Sequence, residues 1–510
     1  MTAETPTRSK RRRRRRGRED GPPPAPAINF KRSIPLYEMA PAEAVERIHL
    51  STLDLLERSG IEFHSAPALE TWRKAGAEVE GERVRIPREL LLEQVALAPE
   101  QFVQRARNPA NSVTIGLDQV AFSPNYGSPF VRDLSGERRY ARLGDFEDLA
   151  RLAQMTPSCN HAGGVLCEPM DVPIPKRHLD MTHALMRLTD KPFMGSVTAG
   201  ERAQDCVDMC RILFGADFVE RNTVIMGLVN CNSPLVWDDT MLAAVRAYTE
   251  AGQAMIVSPF CMQGASAPIT TAGAMVQINA EALAAVAYMQ LLRPGTPAIY
   301  GIAPSTVSML SGAPMYGAAE AMFLTFLGNQ LARRYGVPTR AQGMRTTAKL
   351  ADAQAGYESV QSMWPAVMAG GHFHTHTFGW LESGLSACLA KFVMDGDQAT
   401  VFLRLMAGVT VDDETLAMDA FEEVGPGGQY LGCANTLRHY RDAFFIPPTS
   451  FIDTYEQWQE EGAADTLQRA TEIARQRLAA HEPPPLDAGT ADALAEFVAR
   501  RKAELPDSNF

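Results

Sequence analysis

The chain has 510 residues, of which 45% are hydrophobic and 21% charged, and its formal net charge is −11. These proportions are typical of a globular enzyme and leave room for one large barrel or two to three ordinary domains. No apolar run reaches the roughly 18 residues of a bilayer-spanning helix, and no apolar segment follows the basic start, so we expect neither a membrane anchor nor a secretory signal. The eight cysteines form no dense framework, which indicates reduced thiols and a cytoplasmic protein.

Residues 1–29 are predicted to be a disordered tail. Residues 1–30 carry nine Lys and Arg against three Asp and Glu, and the arm RSKRRRRRRGRED runs into a proline-rich linker. Like charges in such a block repel one another and prevent folding. The rest of the chain is acidic, so we expect no nucleic-acid partner.

Residues 30–119 are predicted to form an α-rich cap that begins with an amphipathic helix over 41–58, ended by Gly60. Between 120 and 400, eight β-rich runs alternate with helical patterns, which is the pattern of a (β/α)₈ TIM barrel. A doubly wound sheet gives the same alternation, although no GxGxxG follows a first strand. Residues 401–510 are predicted to be a helical extension packed on the barrel. The eight runs are 119–127, 163–170, 191–198, 223–234, 254–264, 297–306, 337–344 and 371–379.

Barrel enzymes place their sites at the carboxyl ends of the strands, so polar and aromatic residues there are the candidates for substrate binding. Aromatic rings at such a mouth suit a quaternary ammonium group through cation–π attraction. Two alternatives stay open at this point: a carboxylate paired with an arginine for Glu168, and turn chemistry before Pro234 for the two asparagines. The candidates are Tyr126, Glu168, Asn230, Asn232, Gln263, Tyr300, Arg345, His372, His374, His376 and Trp380.

The last run, GHFHTHTFGW, carries three of the ten histidines of the chain at alternate positions. Alternation puts His372, His374 and His376 on one face of a strand. We expect that face to point into the barrel, because Phe373 suits the helical layer. Same-face neighbours lie nearly 7 Å apart, so a zinc site would use at most His374 and His376, and we favour no metal.

Several segments resemble the trimethylamine methyltransferase family. They are NCNSPLVWDDTM, SPFCMQGASAPITTAGA, LADAQAGYES, FGWLESGLS, GPGGQYLG and NTLRHYRD, and the resemblance covers roughly 30 to 505. It implies a (β/α)₈ barrel and transfer of a methyl group from a methylated amine to a corrinoid carried by a separate small protein. The chain contains only standard residues, so it resembles the branch without pyrrolysine, whose substrates include quaternary amines such as glycine betaine.

The resemblance also implies roles for the candidates. Aromatic rings and Glu168 would hold the cation, and Asn, Gln, Arg345 or the histidines would hold a carboxylate. The corrinoid-binding signature DxHxxG is absent, because Asp180 and His183 in DMTHALM have the wrong spacing. We therefore expect the corrinoid on a partner protein, no tightly bound cofactor, and a homo-oligomer.

Two alternatives to this function remain. One is a zinc-dependent barrel methyltransferase or hydrolase that uses the histidine ladder. The other is a betaine-binding protein without catalytic activity.

Overall fold

The computed structural model describes residues 30–508, so the predicted basic tail lies outside the described residues. Residues 30–116 contain three helices and six strands and are therefore mixed rather than α-rich. The predicted first helix ends in a π-helical turn at Leu55–Ser59, and Gly60 stops it by taking a positive φ of 76°. Only glycine fits there, because a Cβ would lie 2.6 Å from the Val84 carbonyl oxygen. The elements are β1 (Phe30–Lys31), α1 (Ala42–Asp54), β2 (Ile61–His64), α2 (Ala66–Lys74), β3 (Glu78–Glu80), β4 (Arg83–Arg85), α3 (Arg88–Val95), β5 (Gln101–Gln104) and β6 (Val113–Gly116).

The central part of the chain alternates buried strands with amphipathic helices. Its elements are β7 (Gln119–Phe122), β8 (Phe130–Arg132), β9 (Arg138–Tyr140), α4 (Leu143–Met155), α5 (Arg177–Leu188), β10 (Phe193–Met194), α6 (Gly200–Phe214), α7 (Ala216–Arg221), β11 (Ile225–Val229), β12 (Val236–Asp238), α8 (Asp239–Glu250), β13 (Ala254–Val257), β14 (Met262–Gln263), α9 (Thr271–Leu292), β15 (Ala298–Gly301), β16 (Ser305–Val307), β17 (Pro314–Met315), α10 (Ala319–Tyr335), β18 (Thr339–Gln342), α11 (Ala353–Met368), β19 (Phe373–Thr375), β20 (Trp380–Leu381), β21 (Ser386–Cys388) and α12 (Leu389–Ala407).

Seven of these strands form one parallel, curled sheet, in the order β10-β11-β13-β15-β18-β19-β7. The predicted strand at 163–170 contains no regular strand. Residues 160–164 nevertheless lie between β7 and β10, the two end strands of this sheet. His161 N–H donates to the Phe122 carbonyl at 3.2 Å, and Met194 N–H donates to the Gly163 carbonyl at 2.7 Å. The fold is thus mixed α/β, with a curled parallel sheet whose two end strands are both hydrogen-bonded to segment 160–164.

The antiparallel strands β5 and β6 fill the amino end of the curl. β6 pairs with β5 and continues into β7, and Gln104 Nε2 donates to the Phe193 carbonyl at 2.8 Å. Phe102 and Ile115 pack in one apolar cluster with Ile256 and Phe373. This apolar plug leaves the carboxyl ends of the strands as the open end.

Helix α9 is long and apolar enough to cross a bilayer by length and composition alone. However, 83% of its most apolar window is buried inside the protein, and its Asn279 side chain accepts a hydrogen bond from Tyr300. α9 is therefore a core helix packed against the sheet.

The C-terminal extension has two parts. α17 (Thr466–Ala479) packs on α4 and α12, and α18 (Ala488–Glu504) packs on α5 and α6. Arg501 of α18 donates to Asp205 of α6 at 2.7 Å. Residues 408–446 are instead almost entirely exposed. The helices are α13 (Asp413–Leu416), α14 (Met418–Val424), α15 (Ala434–His439), α16 (Tyr455–Glu460), α17 (Thr466–Ala479) and α18 (Ala488–Glu504).

Candidate functional site

The predicted orientation of the histidine ladder is wrong. Phe373 belongs to the apolar cluster inside the curl, so the alternating side chains of His372 and His374 face the outer helical layer. His372 Nδ1 accepts from Thr339 N–H at 2.9 Å and its Nε2 donates to the Leu117 carbonyl at 2.9 Å. The apolar plug explains the inversion, because it favours phenylalanine rather than imidazole inside.

His374 also lies outside the curl. Its Nε2 contacts the Gly371 carbonyl at 3.1 Å, and its ring packs edge-on against Phe122 at 5.2 Å. Burial lowers the pKa of His374 to about 4, so the ring is neutral at physiological pH. His372 and His374 are therefore structural residues of the sheet rather than members of the site at its open end.

His376 leaves the ladder, because β19 ends at Thr375 and His376 takes a left-handed conformation with φ 60°. Its ring packs against Trp380 with 4.3 Å between centroids, and its Nε2 accepts from Arg340 Nη2 at 2.8 Å. Since a guanidinium only donates, the proton of the neutral ring sits on Nδ1. That Nδ1 is buried and has no partner within residues 30–508. Burial, with Arg340 and Arg345, holds the pKa of His376 well below its usual value, so Nδ1 is a neutral donor.

Arg340, which sequence reasoning missed, lies inside the open end of the curl. Its guanidinium donates to Thr375 Oγ1 at 2.5 Å and to Ser258 Oγ at 3.1 Å as well as to His376. Its side chain is buried, and burial together with Arg345 lowers its pKa to about 9. The sequence did contain a sign of its role: Arg340 is the one charged residue of the strand TRAQ, and a buried arginine is rare unless its charge is paired.

Arg345 lies at the end of the same strand, as predicted from its position. Its Nη2 donates to the Pro304 carbonyl at 2.9 Å, and its guanidinium lies 4.1 Å from the centre of the Tyr316 ring. Burial lowers its pKa to about 10, which leaves it charged at neutral pH. Its Nε is buried and lacks a partner in the part of the chain that the structure describes.

Within residues 30–508, neither Arg340 nor Arg345 forms an ion pair with a carboxylate. Two buried positive charges without a counter-charge are strongly unfavourable unless an anion completes the site. The same end of the sheet holds further buried polar atoms that lack a partner in the described chain. They are the hydroxyls of Tyr126, Ser305 and Thr306 and the amide oxygens of Gln263 and Gln342. This arrangement suits a small polar ligand with an anionic group.

The carboxyl group of Glu168 lies close enough to Tyr126 to act on its charge. Burial raises the pKa of Glu168, and Arg177, whose Nη1 lies 3.6 Å from its carboxylate, offsets part of that effect. Burial and Glu168 together raise the pKa of the Tyr126 phenol. The Trp380 ring lies edge-on to Tyr316 with 5.8 Å between centroids. Trp380 thus lies on the side of the two guanidiniums, since its ring also packs on His376. A carboxylate near Tyr126, together with two guanidiniums, suits a ligand that carries both charges.

The structure places the other predicted site residues outside this cluster. Tyr300 points toward the helices and donates to Asn279 at 2.9 Å, so it is not part of an aromatic cage. Asn230 and Asn232 are exposed in the loop that precedes β12. Gln263, by contrast, stays with the cluster: its Oε1 is one of the buried atoms without a partner among the described residues, while its Nε2 donates to the Ile269 carbonyl at 2.6 Å.

The rings of His374 and His376 do not face one common point, because His374 faces the helices and His376 has left the strand, with its Nε2 accepting from Arg340. Among the described residues, the one group that could gather three metal ligands is Glu62, His64 and Glu82. It belongs to the N-terminal sheet of β2, β3, β4 and β12 and is at least partly exposed.

The model of the family described as trimethylamine methyltransferase matches residues 7–506 of the chain. The chain belongs to this family. The family assignment confirms the resemblance carried by the sequence motifs and makes the protein a methyltransferase.

Relatives within the trimethylamine methyltransferase family differ in the substrate that their names state. Glycine betaine methyltransferase of Desulfitobacterium hafniense strain Y51 is 40% identical over 92% of this chain and 98% of its own length. Trimethylamine methyltransferase MttB of Desulfitobacterium hafniense strain DSM 10664 / DCB-2 is 27% identical over 91% of this chain and 93% of its own. The Methanosarcina barkeri monomethylamine methyltransferase structure has the same fold, with a TM-score of 0.50 at 10% identity over 88% of this chain and 90% of its own.

Proposed function

We propose that this methyltransferase takes a methyl group from a quaternary amine that carries a carboxylate, with glycine betaine as the first candidate. The methyl group goes to a Co(I) corrinoid bound to a separate small protein. The observation that carries the proposal is the pair of buried guanidiniums, Arg340 and Arg345, which have no carboxylate partner among residues 30–508. The 40% identical relative named glycine betaine methyltransferase supports the same substrate.

The carboxylate of the substrate would occupy the space between the Arg345 Nε and the His376 Nδ1, both buried donors that have no partner among the described residues. Charge-assisted hydrogen bonds from a guanidinium are about twice as strong as neutral ones. Arg340 contributes its charge and, through Nη2, keeps the His376 proton on Nδ1. A ligand without a carboxylate, such as trimethylamine or choline, would leave these donors empty.

The quaternary nitrogen would lie toward Tyr126, Trp380 and Glu168. Aromatic faces attract a quaternary ammonium group by cation–π interaction, and a carboxylate nearby adds Coulomb attraction. The nitrogen already carries its positive charge, so it leaves as a neutral tertiary amine without receiving a proton. The site therefore needs no general acid, and these side chains only position the substrate and exclude water.

A Co(I) corrinoid, when bound, supplies the electron pair for in-line attack on the methyl carbon. The carbon–nitrogen bond breaks, its electron pair stays on nitrogen, and the positive charge of the substrate is lost. Fixing the carboxylate at Arg345 directs one methyl group outward. Burial of the substrate charges strengthens these contacts because the local dielectric constant is low.

We further propose that segment 160–164 closes the curled sheet into an eight-stranded barrel, since it hydrogen-bonds both β7 and β10. The amino end is plugged by β5 and β6, so the acceptor protein would dock at the carboxyl end. The eight cysteines are all free and buried, which supports our placement of the protein in the reducing cytoplasm.

The test is a methyl-transfer assay with purified protein, Co(I) cobalamin and a panel of amines, followed by the cobalt absorption spectrum. We expect methylation of cobalt with glycine betaine and none with choline or trimethylamine. Betaine binding without turnover, also when corrinoid protein is added, would indicate a binding protein instead. Turnover that depends on one zinc per chain would favour metal chemistry over this proposal.

A further inference from the structure

A short turn with an unusual backbone follows the strand that carries Trp380. This turn is Glu382–Gly384, and its first two residues, Glu382 and Ser383, take left-handed φ values of 53° and 59°. Residues other than glycine rarely adopt this conformation, because it is energetically unfavourable for them. Two such residues in a row persist only where surrounding contacts hold them. The contacts of this turn are therefore informative about its role.

The side chain of Glu382 is buried, with 8% of it exposed, and it is paired. Its Oε2 accepts from Arg138 Nε at 2.7 Å, and Arg132 Nη2 lies 3.9 Å from its Oε1. Both arginines belong to the hairpin of β8 and β9. Arg138 is itself held in place, since its guanidinium lies 3.7 Å from the centre of the Phe130 ring. The hairpin thus holds the turn through a buried carboxylate.

The turn packs directly on the Trp380 ring. Gly384 has φ 95°, and a Cβ there would lie 2.5 Å from Cη2 of Trp380, so only glycine allows the ring to lie this close. The indole N–H donates to the Thr346 carbonyl at 3.1 Å, and the same carbonyl accepts from Ser383 N–H at 3.0 Å. One backbone oxygen therefore fixes both the turn and the ring that packs on His376.

The same turn also holds the loop that carries Tyr126. Ser128 Oγ donates to the Gly384 carbonyl at 2.6 Å, and Asn125 Nδ2 donates to Ser128 Oγ at 2.6 Å. The Ser128 carbonyl accepts from Glu168 N–H at 2.8 Å. These bonds connect the turn to the residues around Tyr126 and to the segment of Glu168.

We propose that Glu382 is a positioning residue, whose pair with Arg138 holds the turn in its strained conformation. The turn places the Trp380 ring and the loop of Tyr126 in the candidate site. Without the pair, the strained backbone relaxes, and the ring shifts with it because turn and ring share a hydrogen-bond acceptor. This inference rests on the proposed function, since it treats Trp380 and Tyr126 as substrate contacts.

The first test compares two neighbouring arginines of β9 in the methyl-transfer assay with glycine betaine and Co(I) cobalamin. Arg138→Met removes the pair with Glu382. Arg139→Met is the matched control, because Arg139 donates to the buried carboxylate of Asp145 at 2.7 Å. Each variant loses one positive charge and one pair with a buried carboxylate, so their stabilities should fall similarly. Only Arg138→Met should raise the KM for betaine, by about 3- to 30-fold, the range of one cation–π contact.

Two substitutions of Glu382 separate positioning from folding. Glycine adopts φ 53° without strain, so Glu382→Gly should keep the fold intact while it removes the pair, and it should raise the KM as Arg138→Met does. Glu382→Gln retains an acceptor oxygen for Arg138 Nε and should restore most of the affinity for betaine.

The fluorescence of Trp380 gives a readout that needs no substrate. The chain has five tryptophans, and the difference between each protein and its own Trp380→Phe form isolates this ring. Trp380 is 6% exposed, so acrylamide should quench it weakly. Arg138→Met and Glu382→Gly should increase this quenching, whereas Arg139→Met should not.

Unchanged quenching of Trp380 in folded Arg138→Met or Glu382→Gly protein would overturn the inference. An unchanged KM in these variants would also overturn it, provided that the wild-type protein is active on betaine. If the wild-type protein transfers no methyl group from betaine, the proposed function fails, and the quenching alone decides whether the pair holds the ring.

Discussion

Replacing Arg345 by methionine separates a role in binding from a role in stability. The buried Arg345 guanidinium donates to the Pro304 carbonyl and lies over the Tyr316 ring, and within residues 30–508 it has no carboxylate partner. Methionine fills a similar volume beside Tyr316 without the unpaired charge, so the free energy of unfolding of the ligand-free protein should stay within about 1 kcal/mol or rise. Loss of a charge-assisted bond to the substrate carboxylate should weaken glycine betaine binding by about 1.5–3 kcal/mol, or roughly 10- to 150-fold.

Two measurements test this prediction. Titration calorimetry gives the dissociation constant of betaine, and thermal unfolding with and without betaine gives the stability and its increase on binding. Arg340→Met is the control, because it removes hydrogen bonds to Ser258, Thr375 and His376 and should lower stability by about 2 kcal/mol or more. The reasoning is refuted if Arg345→Met binds betaine normally, or if it destabilises the ligand-free protein as much as Arg340→Met does.

Three other predictions concern single groups. Burial raises the pKa of Glu168, so the attraction of its carboxylate for the cation is lost as the pH falls through that raised pKa. The KM for betaine should therefore rise in acid. Glu168→Gln should show a high KM at every pH, without this dependence. His376→Phe removes the free Nδ1 donor and should lower kcat/KM about 10- to 100-fold. His372→Phe instead leaves Thr339 N–H unpaired, so it should lower the melting temperature without changing the kinetics of the folded protein. Equal kinetic effects of the two variants would contradict the assignment of His376 to the site and of His372 to the sheet. Burial raises the pKa of Asp205, but hydrogen bonds from His178 and Arg501 outweigh burial and lower it. The stabilisation from that carboxylate is therefore present at neutral pH and is lost as the pH falls through the lowered pKa. Asp205→Asn should flatten this acid dependence in thermal melts, and an unchanged acid profile would show that the Asp205–Arg501 pair does not hold α18.

The strand pattern could be predicted from the sequence because buried parallel strands are short apolar runs bounded by turn residues. The second run, 163–170, did not form a regular strand. Gly163 has φ +84° and a Cβ there would lie 2.7 Å from Leu166, so the backbone bends where a strand would continue. Local composition shows the apolar run but not this bend.

The candidate site could be predicted in part. Arg345 and Trp380 follow strands, and the rule that sites lie at carboxyl ends applies to them directly. Whether His372 and His374 point into the sheet or toward the helices could not be predicted. Alternation shows which residues share a face of the strand, and not which face lies inside. That choice depends on Phe102 and Ile115, which are more than two hundred residues away in sequence.

The central claim is that the carboxylate of a quaternary amine binds between Arg345 and His376, beside the charge of Arg340. A crystal structure of the protein with glycine betaine tests it most directly. We expect the carboxylate about 3 Å from Arg345 Nε and His376 Nδ1, with the ammonium group toward Tyr126, Trp380 and Glu168. Betaine bound with its carboxylate away from Arg340 and Arg345, or at another place in the protein, would contradict the account.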